Sequence, residues 1–325
     1  MDAVPSLFID AVLRTFGYSE LRHMGELSDA WGQLAEVSLE RSGYLHLFYK
    51  REPSTQWNRS NGWSLYYELC GWEHVESRTL CPEVAQQISK DIRAIRFFVD
   101  QNCSRGANWN RVSPDDKDDV WRLLLRLDAP ERSLNLCMKE DHYKKLEKDL
   151  EEMVWRYSDL LRLFTSVKFG SFNQPVFVQL LEDLVSSGRL QDIDVRNIEY
   201  PLMPTIELTS SWAECFLSES CRSLVGVFQD TGFVLGLINR WMWMDSWNLQ
   251  YRKVFYAKYV SPEALYNVGM KQMPLESAAK VLGTIERKLD GGDIESLYRI
   301  DHLVDKGSRI YAVLYKVRGF ALIFE

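Results

Sequence analysis

The chain has 325 residues, 46% of them hydrophobic and 13% aromatic, a composition that supports a sizeable core and excludes an intrinsically disordered protein. Its 46 acidic residues outnumber the 39 basic ones, and the net charge of −7 argues against nucleic acid or an anionic membrane surface as the partner. The most apolar run, Phe233 to Met244, is short and interrupted by Asn239-Arg240, so no membrane span is expected, and no basic stub followed by an apolar run reads as a signal peptide. Cys70, Cys81, Cys103, Cys137, Cys215 and Cys221 form no C-x-x-C pair, and none sits with a histidine at zinc-ligand spacing along the sequence. They read as thiols of a reducing compartment, with no metal and no cofactor expected.

The elements begin with an amphipathic helix from about Pro5 to Phe16. Proline suits its first turn, and Phe8, Val12 and Phe16 recur at every fourth residue beside Pro5, Ile9 and Leu13. Gly17 reads as its stop and Ser19 as the cap of a second helix that carries Leu21, Met24 and Leu27 inward. Ser28-Asp29 opens a third with Trp31, Leu34 and Ala35. Three helices this short have too little surface to bury a core alone, so a partner is implied.

The spacing of Val4-Pro5, Val12-Leu13, Phe16, Glu20-Leu21, Leu27 and Trp31 resembles an F-box, whose usual Leu-Pro, Ile-Leu, Leu, Asp-Leu, Val and Trp stand at the same intervals. In that family the three-helix unit docks on the small adaptor subunit of cullin–RING ubiquitin ligases. The resemblance implies that Val4, Pro5, Phe8, Val12, Leu13, Phe16 and Leu21 contact the adaptor. The alternative is a helical hairpin packed on its own domain.

Further along, Gly43 to Lys50 reads as a short extended piece, Arg51 to Gly62 as a polar loop, and Trp63 to Trp72 as either a strand or a short helix. The spacing of Val84, Ile88, Ile92, Ile95 and Val99 predicts one amphipathic helix over Pro82 to Val99. Ser113-Pro114 with Asp115, Asp116, Asp118 and Asp119 reads as a helix start, where the acids answer the positive end of the helix dipole and need no metal ion. Ser133 to Cys137 is a candidate strand, and a long charged helix is expected over Asp141 to Phe164.

From Ser166 the texture becomes repetitive. Strand signals centred near Val167, Ile193, Val225 and Val254 lie 26 to 32 residues apart and alternate with helices that begin near Pro175, Ser210 and Thr231. That spacing is about the period of leucine-rich repeats, although no clean Leu-x-x-Leu-x-Leu-x-x-Asn signature occurs. Stacked strand–helix units predict a parallel sheet with helices behind it. Ser296 to His302, Arg309 to Lys316 and Ala321 to Phe324 read as antiparallel strands that cap the array.

The expected fold is thus α+β or α/β. A three-helix F-box-like module spans residues 1–42, a linker and mixed helical region spans 43–132, and a leucine-rich-repeat-like domain with a β cap spans 133–325. The layout resembles the F-box families expanded in nematodes, whose C-terminal regions are thought to select substrates.

No phosphate loop, dinucleotide-binding glycine motif, nucleophile elbow or H-E-x-x-H occurs, and His23, His46, His74, His142 and His302 are scattered, so no enzyme is expected. Trp241 and Met244 share the core face of their helix, while Trp243 and Trp247 lie on an adjacent face that is free to be exposed. The family resemblance implies a cytoplasmic or nuclear substrate receptor, with the wet strand residues Lys168, Asp192, Asp194, Arg196 and Arg252 as candidates for contact with a protein target. The competing reading is a repeat scaffold whose N-terminal hairpin is only a cap. The two readings differ on whether Pro5, Phe8, Val12, Leu13 and Phe16 face solvent or a core.

Overall fold

The computed structural model describes residues 4–51, 62–99, 109–113, 119–137, 146–170, 175–195, 206–226, 231–245, 253–257, 260–278, 293–305, 307–316 and 319–325. Among them it is a mixed α and β protein, and its chain divides into two compact units at the junction of Ser166 and Val167.

The first unit opens with α1 (Ser6–Leu13), α2 (Tyr18–Gly25) and α3 (Ala30–Arg41). There follow β1 (Gly43–Arg51), β2 (Trp63–Gly71), α4 (Pro82–Ile88), β3 (Ile92–Val99), β4 (Asn110–Val112), α5 (Asp119–Arg126), β5 (Glu131–Leu136), α6 (Glu147–Arg156) and α7 (Ser158–Leu161). The strands lie in the order β5-β3-β1-β2-β4. β1 runs parallel to β3 and β3 to β5, whereas β2 and β4 add antiparallel strands on the other side. Trp63 to Trp72, open between strand and helix on sequence, is the strand β2 followed by a tight left-handed turn, with φ of 85° at Gly71 and 49° at Trp72. Glycine is required at position 71, because a Cβ there would sit 2.7 Å from the Ser42 carbonyl oxygen as well as in the left-handed region. The turn buries the Trp72 ring in the core.

One expectation fails here. Pro82 to Val99 is not one helix: α4 ends at Ile88, and Ile92 to Val99 is β3. Ile92, Ile95 and Val99 fit a helical stripe by spacing, but β3 pairs on both edges and buries residues on both faces, a role that β-branched and aromatic side chains fill well. The charged helix expected over Asp141 to Phe164 is also shorter. Within the described residues α6 stops at Arg156, Tyr157 departs to φ −112° and ψ 18°, and α7 restarts after it. Tyr157 is buried there beside Tyr49 and Trp121, so packing of the ring accompanies the break.

The second unit comprises β6 (Ser166–Phe169), α8 (Pro175–Ser186), β7 (Asp192–Val195), α9 (Ile206–Leu217), β8 (Ser223–Gly226), α10 (Thr231–Trp243), β9 (Lys253–Ala257), α11 (Pro262–Asn267), β10 (Lys271–Met273), a 3-10 turn at Leu275–Ala278, β11 (Ile294–Asp301), β12 (Arg309–Tyr315) and β13 (Gly319–Phe324). Its strand order is β6-β7-β8-β9-β13-β12-β11-β10. β7, β8 and β9 are parallel, as the strand–helix alternation predicts, and the last four strands are antiparallel. α8 buries Phe177, Leu180, Leu181, Leu184 and Val185, a stripe at helical spacing, and Gly188 closes its end at φ 66°. β12 and β13 are central strands, buried from Ile310 to Leu314 and from Phe320 to Phe324, and their apolar runs are continuous for that reason. α11 and β10 are not announced by the periodicity of the sequence.

Candidate functional site

The N-terminal module is built around Ile9, Leu13, Leu21 and Ala35, all buried, with Val4, Phe16, Met24, Trp31, Leu34 and Leu39 packed against them. Asp29 caps α3 by accepting from the backbone N–H groups of Trp31 at 3.0 Å and Gly32 at 3.3 Å. Gly32 lets α3 approach the backbone of Leu27, where any Cβ would collide. α2 begins at Tyr18, so the N-cap position falls on Gly17 and not on Ser19. The module is tied to the sheet by Arg93 of β3, whose buried guanidinium donates to the Leu13 carbonyl at 2.9 Å and to the Ser38 hydroxyl.

The residues expected to face the adaptor separate into three groups. Leu13 and Leu21 are inside the module, and Val4, Val12 and Phe16 are half-buried. Pro5 is exposed, Phe8 is 56% exposed, and its neighbour Leu7 is 82% exposed. α1 therefore has an apolar inner face and a second apolar surface at its N-terminal turn that its own chain leaves to solvent. Leu7 falls outside the resemblance-derived set, and its exposure became visible only once the inner face of α1 was known.

In the second unit, Lys168 of β6 and Asp194 of β7 stand on the face opposite the buried Val167, Phe169, Ile193 and Val195 and form an ion pair at 3.9 Å. Asp192 accepts from the Ser223 hydroxyl at 2.8 Å. These three expected target-facing residues thus share one surface as paired polar groups. Arg196 and Arg252 lie outside the described residues. Trp241 is buried, as its place on the core face requires, whereas Trp243 is 80% exposed, and Trp247 lies outside the described residues. His302 is structural in geometry. Its Nε2 lies 3.1 Å from the carbonyl oxygens of Trp241 and Met244, and its Nδ1 accepts from the backbone N–H groups of Val304 and Asp305. This joins the turn after β11 to the end of α10, where Leu303 and Val304 are exposed as Trp243 is.

The hairpin register also brings together three residues that sequence spacing did not connect, His46, Glu68 and Cys70. The available signal was the pairing of Gly43–Arg51 with Trp63–Gly71, which places position 46 opposite position 68.

No known protein family, curated protein or solved structure matches this chain. Among the described residues, no helix is long and apolar enough to cross a membrane.

Proposed function

We propose that this protein is a substrate-receptor subunit of a cullin–RING ubiquitin ligase, an F-box protein whose N-terminal helices grip the small adaptor while its second unit holds a protein target. The observation that carries the reading is the solvent-exposed apolar start of α1, formed by Pro5, Leu7 and Phe8 on a helix whose other face is satisfied inside the module. An exposed leucine and phenylalanine side by side suit a docking surface better than a cap. On this reading the second unit is an irregular leucine-rich-repeat-like array ended by the antiparallel strands β10 to β13, and Lys168, Asp192 and Asp194 lie on its target-facing surface. The protein contributes no catalytic group. It tethers, raising the effective concentration of the target beside the ubiquitin-loaded enzyme in the cytoplasm or nucleus.

The competing reading, a scaffold with a helical cap, draws on the burial of Leu13 and Leu21 and on the Arg93 clamp. Calorimetric titration of the full chain with the adaptor separates the two. The wild type binds one to one, and Leu7→Asp with Phe8→Asp weakens binding by about 30-fold or more, the loss of at least ~2 kcal/mol typical of a buried anchor. Both positions are exposed, so the variant keeps the wild-type circular dichroism. A folded wild type that does not bind the adaptor sinks the receptor reading and leaves the scaffold.

A further inference from the structure

One face of the β1–β2 hairpin carries a donor set that adaptor docking does not use. His46 is paired directly with Glu68 across the two strands, and Cys70 follows two residues along β2 on the same side. His46 Nδ1 lies 3.8 Å from Cys70 Sγ. One ligand atom each from His46, Glu68 and Cys70 can be chosen so that all lie within 4.8 Å of one another, and all three residues are half-buried. A tetrahedral zinc ion, with Zn–N near 2.0 Å and Zn–S near 2.3 Å, holds its nitrogen and sulfur ligands roughly 3.5 Å apart. The nitrogen and sulfur of this hairpin therefore need to shift by only a few tenths of an ångström.

The surroundings hold both the imidazole and the thiol in their neutral forms in the metal-free protein. The imidazole is walled by Tyr44, Phe48 and Phe98, with ring centroids at 4.8, 5.6 and 5.6 Å, and its Nε2 is buried with no hydrogen-bond partner among the described residues. Burial, and then the Arg96 guanidinium, lower the His46 value, while the Glu68 carboxylate opposite it pulls the other way. The Arg96 charge is itself answered by Glu131, through two hydrogen bonds of 3.1 and 3.2 Å. Burial, followed by Glu68, pushes the Cys70 thiol up to about 11, so the metal-free protein holds the proton on sulfur.

We propose that His46, Glu68 and Cys70 form a three-ligand site for a borderline-soft divalent transition metal, with zinc the best match and a fourth position left for water or an outside ligand. A nitrogen, sulfur and oxygen set disfavours calcium and magnesium, which take oxygen donors. Binding forms the sulfur–metal bond as the Cys70 S–H proton passes to solvent and a metal-bound water leaves, with no change of oxidation state. The ion would staple β1 to β2 and make the stability of the first unit depend on metal.

The test is a titration of the chelator-stripped, dialysed full chain with cobalt(II), followed by zinc. One equivalent of cobalt is expected to bind with a thiolate-to-metal charge-transfer absorption that zinc abolishes. Cys70→Ser loses that band, and His46→Gln weakens binding by more than the roughly 10- to 100-fold that loss of an outer-shell partner costs. Cys81→Ser retains both. A measurement on the wild type alone covers the chance that a variant misfolds: zinc slows alkylation of Cys70, mapped by mass spectrometry, and leaves Cys81 unaffected. A wild type with no charge-transfer band and unchanged Cys70 alkylation overturns the proposal, as does a band that survives in folded Cys70→Ser.

Discussion

Arg93 fastens α1 and α3 of the N-terminal module to the sheet. It is buried in β3, and its two charge-assisted hydrogen bonds end on the last residue of α1 and on α3. Such bonds are each worth about 1.5–3 kcal/mol, and without the side chain the Leu13 carbonyl keeps only the Phe16 backbone N–H at 3.2 Å. Arg93→Ala is therefore expected to destabilise the first unit by about 3 kcal/mol or more, read as a lower urea midpoint. Hydrogen exchange should speed first in residues 6–41. An unchanged midpoint would mean that the helices hold their place without the clamp.

His46 makes a pH prediction at the same scale. Its folded value lies below the ordinary 6.5, with burial as the main cause. As pH falls through 6.5, the unfolded chain takes up the proton first, so the unfolded state binds more protons and stability declines with acid. Above that value both states are neutral and the effect vanishes. In chelator-treated protein, His46→Gln should flatten the loss of stability between about pH 7.5 and about pH 5.5, measured as the shift in urea midpoint. A slope identical to that of the wild type would place the acid sensitivity elsewhere.

At the scale of elements, the glycines separate two kinds of constraint. Gly188 ends α8 at φ 66°, and a Cβ added there would meet nothing within 4 Å, so only the backbone conformation demands glycine. Gly188→Ala should cost about 1 kcal/mol, detected as a small drop in the thermal midpoint with unchanged secondary structure. Gly43 has an ordinary φ, but a Cβ would run into the Cys70 carbonyl and the Trp72 ring, so that position is closed by packing. The segment Pro82–Val99 illustrates the same division for secondary structure. Ile88, Ile92, Ile95 and Val99 satisfy a helical period, yet the chain turns at Ser89 to Asp91 and the second half becomes a strand buried on both faces. A strand with two buried faces has lost the alternation that would announce it.

For the whole molecule, the second unit was the more legible. The alternation of short strands and amphipathic helices from Ser166 to Tyr256 follows local periodicity, and the parallel pairing of β7, β8 and β9 follows from the crossover helices between them. Composition and local pattern also set the N-terminal helices, the apolar stripe of α8 and the C-terminal antiparallel strands. Only the tertiary structure decided which strands became neighbours: β13 lies between β9 and β12, and β1 lies between β2 and β3, with one antiparallel and one parallel partner. It also decided which apolar residues of α1 are spent inside the module, since the stripe holding Leu13 and the surface holding Leu7 and Phe8 are equally apolar on paper. His46, Glu68 and Cys70 met for the same reason. Periodicity is a property of neighbours along the chain, whereas burial and side-chain convergence depend on pairings between segments far apart in it, and those are fixed by the total free energy of packing.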